Sequence, residues 1–172
     1  QQEAEFRAGG SMSEVDYVIE GQVIGGLTGS RKIYGLDSQI FSIGIDGTGN
    51  VYGTGYFRNT VDFNPGAATV SITSAGNADI VLWKLDSSGN YVWAKTVGGA
   101  LNEYGQAIEV DSSGNVYVTG NFYATVDFDP GSGIYNLTTN GAHDIFVNKF
   151  DSNGSASLEE LSSNLVEVYP NP

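Results

Sequence analysis

The residues best placed for chemistry are acidic side chains set at fixed intervals. Asp46-Gly-Thr-Gly-Asn50, Asp86-Ser-Ser-Gly-Asn90, Asp111-Ser-Ser-Gly-Asn115 and Asp151-Ser-Asn-Gly-Ser155 each place oxygen-bearing residues at alternate positions. A calcium loop begins this way, because a hard cation collects several oxygens. Asp46, Asn50, Asp86, Asn90, Asp111 and Asn115 are therefore calcium candidates. The bidentate Glu that completes an EF-hand is missing. Asp, Ser, Gly and Asn are also the residues of tight hairpin turns. The short ligand count favours plain turns, with calcium as the alternative.

Two further acids stand inside a motif written twice. Asp62 lies in "TVDFNPG" (Thr60–Gly66) and Asp127 in "TVDFDPG" (Thr125–Gly131). A catalytic carboxylate pair needs two different environments that pull the pKa values apart. Two copies of one motif offer similar environments instead. The expectation is a structural Asp that accepts backbone N–H groups in a turn. His143 is the single His and cannot build a multi-histidine metal site; a surface position is expected. Trp83 and Trp93 could stack on a sugar, but aromatic residues on strands are more often core. "GTGNVYGTG" (Gly47–Gly55) breaks the spacing of a dinucleotide loop and opens no helix. No catalytic and no cofactor-binding residue is assigned.

The elements that carry these residues repeat. Asp62 and Asp127 lie 65 positions apart, and the same offset carries Gly49-Asn50-Val51-Tyr52 onto Gly114-Asn115-Val116-Tyr117. It also carries Thr54-Gly55 onto Thr119-Gly120, Asp79-Ile80 onto Asp144-Ile145, and Lys84 onto Lys149. Asp46–Asp86 aligns with Asp111–Asp151 without a gap, and about half of the positions are identical. Such self-similarity is the mark of a repeat architecture. Within a unit, "QAIEVD" alternates, "VYVTGNF" is β-branched and aromatic, "IYNLTT" is short and "DIFVNKFD" is mixed, all strand signals. In the first unit "YVWAKTVGG" (Tyr91–Gly99) hairpins back after "SSGN". Ile80-Val81-Leu82-Trp83 is apolar on both faces, as a sheet packed on both sides requires. The reading is an all-β fold of antiparallel β-propeller blades, with two repeats of about 65 residues forming an incomplete propeller.

The chain has 172 residues, 40% of them apolar, and 24 glycines. Lys and Arg total 7 against 20 Asp and Glu, a formal net charge of −13. Such a surface repels a phosphate backbone, so no nucleic-acid partner is expected. No apolar run approaches a membrane helix, so no membrane insertion is expected. There is no Cys, which removes disulfides and thiol chemistry. The chain opens on Gln1-Gln2 rather than Met, as a processed or truncated polypeptide would.

"DSSGNVYVTGNF", "TVDFDPG" and "DIFVNKFDSNG" resemble the bacterial β-propeller repeats often called SBBP repeats, over about Phe41 to Gly154. "LVEVYPNP" (Leu165–Pro172) resembles the opening of the C-terminal sorting domain of the type IX secretion system of Bacteroidetes. The first resemblance implies a propeller of extracellular bacterial proteins and no enzymatic activity. The second implies a polypeptide that is read by secretion machinery and either continues past Pro172 or has lost the rest of that address. Together they divide the chain into a poorly matching segment or degenerate half blade (1–40), a first blade (41–99), an incomplete second blade (100–154), and a linker with the start of a sorting domain (155–172). The expected function is a non-enzymatic secreted or cell-surface module for binding, adhesion or display, meeting an extracellular glycan or protein. The alternatives are the non-catalytic propeller part of a larger polysaccharide-acting enzyme, or a calcium-stabilised structural module. Two blades cannot close a ring, so the expectation is that further blades of a longer chain or several copies, a homo-oligomer, complete the propeller, or that the segment folds only marginally.

Overall fold

A computed structural model describes residues 38–156. The expectations for 1–37 and 157–172, the sorting-domain resemblance among them, lie outside the described residues. Eleven strands and no helix occur among the described residues. The first sheet contains β1 (Ser38–Ile45), β2 (Val51–Phe57), β5 (Asp79–Leu85) and β6 (Tyr91–Val97), in the order β1-β2-β5-β6. Between β2 and β5 the chain makes a small ribbon, β3 (Thr60–Asp62) with β4 (Ser71–Thr73). The second sheet repeats the plan with β7 (Tyr104–Val110), β8 (Val116–Phe122) and β11 (Asp144–Phe150), in the order β11-β8-β7. Its ribbon is β9 (Thr125–Asp127) with β10 (Asn136–Thr138). After the last turn, Ala156 bridges Phe150 antiparallel, where β6 begins in the first sheet. All strand pairs within the sheets and ribbons are antiparallel. The described residues thus form two repeated sheets and no closed ring.

In the second unit the first strand starts at Tyr104, earlier than the alternating stretch from Gln106 suggested, and in the first unit it starts at Ser38, within the segment expected to match the repeat poorly. The reason is a bulge. Register shifts between Ile40 and Ser42 in β1, and between Gly105 and Ala107 in β7. An extra residue, Phe41 or Gln106, interrupts the two-residue period there. The glycine opposite each bulge is required by contact. A Cβ on Gly55 would run into the Gln39 carbonyl, and one on Gly120 into the Tyr104 carbonyl. That is a physical cause for writing Thr-Gly twice.

Each sheet buries its ribbon in the same way. Phe57 and Phe63 meet edge to face at 5.2 Å, as do Phe122 and Phe128 at 5.2 Å. Trp83 Nε1 donates to the Phe63 carbonyl at 2.8 Å, and its counterpart Asn148 donates Nδ2 to the Phe128 carbonyl at 3.0 Å. Trp83 is core, as expected, in a cluster with Val51, Phe57, Val61, Phe63, Val81 and Leu85. The opposite face of the first sheet receives the second sheet. There Tyr52, Ile80, Leu82 and Val97 share one core with Ile108, Val116, Val118 and Phe122. Burying each such aliphatic side chain contributes roughly 1.5–3 kcal/mol.

Candidate functional site

The Asp-rich turns resolve into one repeated hydrogen-bond pattern. Asp46 Oδ1 accepts the Thr48 and Asn50 N–H groups at 2.9 and 3.0 Å and the Thr48 hydroxyl at 2.7 Å. Its Oδ2 accepts the Asn50 amide at 2.8 Å and the Tyr52 hydroxyl at 3.1 Å. Asp86 accepts Ser88 N–H, Asn90 N–H and the Asn90 amide at 2.8–2.9 Å. Asp111 repeats this with Ser113 and Asn115, and adds the Tyr117 hydroxyl at 3.3 Å. Gly49, Gly89 and Gly114 take positive φ (85°, 81°, 81°) to close these turns, a conformation open to Gly at little cost. The calcium candidates thus point their carboxylates inward at donors of their own turn, with Asn50, Asn90 and Asn115 offering amide N–H rather than oxygen. Among the described residues no group of three or more His, Asp or Glu side chains is arranged to hold a metal ion.

These bonds set the acidity of the turns. Burial works against the charge of Asp46, but the bonds from Thr48 and Asn50 outweigh it and hold the carboxyl well below the usual range. The Asn90 bonds lower Asp86, and the Asn115 bonds lower Asp111. Tyr52 is pushed up by burial and by the bond to Asp46.

The acids of the doubled motif fasten the ribbon loops. Asp62 Oδ1 accepts Asn64 N–H at 3.0 Å and Val70 N–H at 2.8 Å. Asp127 Oδ1 accepts Asp129 N–H at 3.0 Å and Tyr135 N–H at 2.7 Å. One carboxylate oxygen therefore clamps both ends of each loop. The two acids serve different ribbons and are not brought together. His143 is exposed, with its ring 5.4 Å from Tyr123. Its counterpart Ala78 is buried beneath the chain joining the sheets, where it bridges Asn102. Trp93 is half-buried and donates Nε1 to the Ser152 carbonyl at 3.2 Å, across the two sheets. Lys84 donates to the same carbonyl at 3.1 Å and lies 4.7 Å from the centre of the Tyr52 ring.

The joint between the sheets holds a pair of acids, of which the repeat pattern carried Asp79 but not Glu103. Asp79 and Glu103 are both buried. Asp79 accepts the Ala75 and Gly76 N–H groups at 2.7 and 3.2 Å. Glu103 Oε2 accepts Gly99 N–H at 2.9 Å, while its Oε1 is buried with no hydrogen-bond partner. A Cβ on Gly98 would overlap the Asp79 carboxylate, so the Gly98-Gly99 pair leaves room for these acids. Burial raises both carboxyls above their usual range. The Ala75 and Gly76 N–H groups oppose the rise at Asp79. At Glu103 the Gly99 and Tyr123 N–H groups oppose it, and the charge of Asp79 adds to it. Asp79 recurs as Asp144, but Glu103 aligns with Ser38 in the earlier unit. No repeat signal could have found it.

No protein-family model matches the chain. It is 31% identical, over 124 residues, to an uncharacterised WD repeat-containing protein of Acanthamoeba polyphaga mimivirus, covering 67% of the chain and 9% of that protein. It is 29% identical, over 79 residues, to regulatory protein FlaEY of Caulobacter vibrioides, covering 46% of the chain and 8% of that protein. The chain therefore spans less than a tenth of either relative. The WD-repeat similarity and the strand-rich fold agree on a repeat β-structure.

Proposed function

We propose that this chain is a non-enzymatic β-propeller module of the bacterial repeat type, exposed outside the cell, that serves binding, adhesion or display. One observation carries the reading. The acids written repeatedly, Asp46, Asp62, Asp86, Asp111 and Asp127, accept N–H groups of their own loops. Their chemistry goes into fixing loops at the ends of stacked sheets, where binding residues gather on a rigid scaffold. The stacking of repeated sheets and the similarity to a WD-repeat protein support the propeller. The repeat and tail resemblances in the sequence support secretion.

The test is co-sedimentation of the full chain with insoluble polysaccharides and with intact bacterial surfaces, followed by a reducing-sugar assay. Retention without release of reducing ends is the expected result. Release of reducing ends by this chain would overturn the non-enzymatic reading. A second reading is the non-catalytic part of a larger secreted enzyme. It expects polysaccharide cleavage only from a longer protein. Calcium stabilisation is the third, and the inward-facing carboxylates speak for turns instead. The melting temperature should be the same in chelator and in millimolar calcium; a rise with calcium would restore the third reading.

A further inference from the structure

The first sheet has a covered face and the second sheet has the same face bare. Ile80 and Leu82 are each 1% exposed, while their counterparts Ile145 and Val147 are 83% and 75% exposed. The bare face is otherwise built alike. Thr54 donates Oγ1 to the Val81 carbonyl at 3.0 Å, and Thr119 to the Phe146 carbonyl at 2.7 Å. Lys84 lies over Tyr52, and Lys149 over Tyr117 at 5.8 Å. Two large aliphatic side chains are thus presented on a formed, polar-edged sheet.

We propose that the Thr119, Ile145 and Val147 face of the second sheet docks a further sheet of the same repeat type, and that a second copy of this chain does not fit it. The proposal rests on reading the sheets as successive blades, and its template is the interface already present between them. There β7 crosses the first sheet. A Cβ on Gly105 would overlap Thr54 Oγ1 and come within 3.0 Å of Ile80 Cγ2. Ile108 donates its N–H to Ser42 Oγ at 3.3 Å and sits in the shared core. A Cβ on Gly44 would come within 3.0 Å of Val110 Cγ2. On the second sheet Thr119 and Ile145 stand where Thr54 and Ile80 do, so the incoming strand also needs Gly at that place. Glu109 stands where Gly44 does. The incoming strand therefore needs a small residue in place of Val110, with an apolar residue kept at the Ile108 place.

A second copy of this chain would offer β1, because its β7 is already engaged. At the Gly105 place β1 carries Ile40, which would overlap Thr119. At the Val110 place it carries Ile45, which would meet Glu109. The outer faces of the two described sheets are therefore mismatched with each other, and head-to-tail growth, the hazard of any heterologous contact, is blocked at two positions. On this proposal the occupant is a distinct sheet of the repeat type rather than a second copy.

The chain lacks Cys, so Val147→Cys introduces a single thiol whose maleimide labelling reports this face. The test compares three proteins carrying that substitution. One is the full chain. In the second, a copy of residues 92–156 is inserted after Ala156, with Val110→Ala in the copy. The third adds Gly105→Ile in the copy. Labelling should be fast in the first, at least about tenfold slower in the second, as for a group reached only through local opening, and fast again in the third. Equal rates in all three would overturn the proposal. So would protection that survives the Gly105→Ile change. Protection of the unextended chain that grows with its concentration would show a second copy to be the occupant and overturn it too. Carbohydrate binding is measured separately, so a failed docking test and a failed binding reading are distinguishable.

Discussion

Ala124 takes the left-handed region at φ 57°, as its counterpart Asn59 does at φ 59°. A side chain other than Gly or Asn is disfavoured there by about 1–2 kcal/mol. Ala124→Gly should therefore raise stability by roughly 0.5–1 kcal/mol despite the greater freedom of Gly in the unfolded chain; urea unfolding reads it, and a loss would refute the strain. The acids at the joint give a prediction of opposite type. Asp79 and Glu103 have folded pKa values above their unfolded ones. Their contribution is fully present below the unfolded pKa of about 4 and lost as pH rises through the raised value. Asp46, Asp86 and Asp111 are depressed. Theirs is present above about 4 and lost as pH falls through the folded value. Glu103→Gln removes only the first kind of group and keeps an acceptor for Gly99. Its melting temperature should exceed that of the parent at pH 7 by a few degrees, with the gap closing towards pH 4. A gap independent of pH would mean that packing, not charge, decides. Asp62 and Asp127 were legible in the sequence because repetition itself argued for structure. Glu103 was not, because its burial comes from two sheets meeting.

At the scale of elements, the bulges decide which glycines are fixed. Gly120→Ala would push a methyl into the Tyr104 carbonyl, and backbone cannot yield as a side-chain tip does. A loss of about 3 kcal/mol is expected, at the upper end for overpacking. Gly47→Ala, with nothing within 4 Å of its Cβ, should change stability by less than about 0.5 kcal/mol. Similar losses at both positions, measured by denaturant titration, would contradict the bulge. The strands themselves were largely legible, since "VYVTGNF" is β8 residue for residue and "DIFVNKFD" is β11 with one residue added. The bulge was hidden, because an extra residue breaks the very period by which strands are read.

At the scale of the whole molecule, burial follows position in the stack more than composition. All of β5 is buried, whereas β11, its repeat, alternates with Ile145 and Val147 bare. Leu82→Ala should thus cost about 2–5 kcal/mol. Val147→Ala should stay within about 0.5 kcal/mol, as for a surface change. Equal costs would mean that the second sheet's face is covered in solution. The Ser152 carbonyl, which takes bonds from both Lys84 and Trp93, shows the same dependence on stacking. Its partners belong to the other sheet.

Legible in the sequence were the repeat, most of its strands, the turn chemistry of the Asp-rich loops and the structural use of Asp62 and Asp127. These depend on neighbours within a few residues or at a fixed offset, so local rules suffice. Contacts across the fold settle which apolar face is covered and where two acids are buried together. Those outcomes turn on contacts between residues far apart in the chain, such as Gly105 against Thr54 and Glu103 beside Asp79, which no local period encodes.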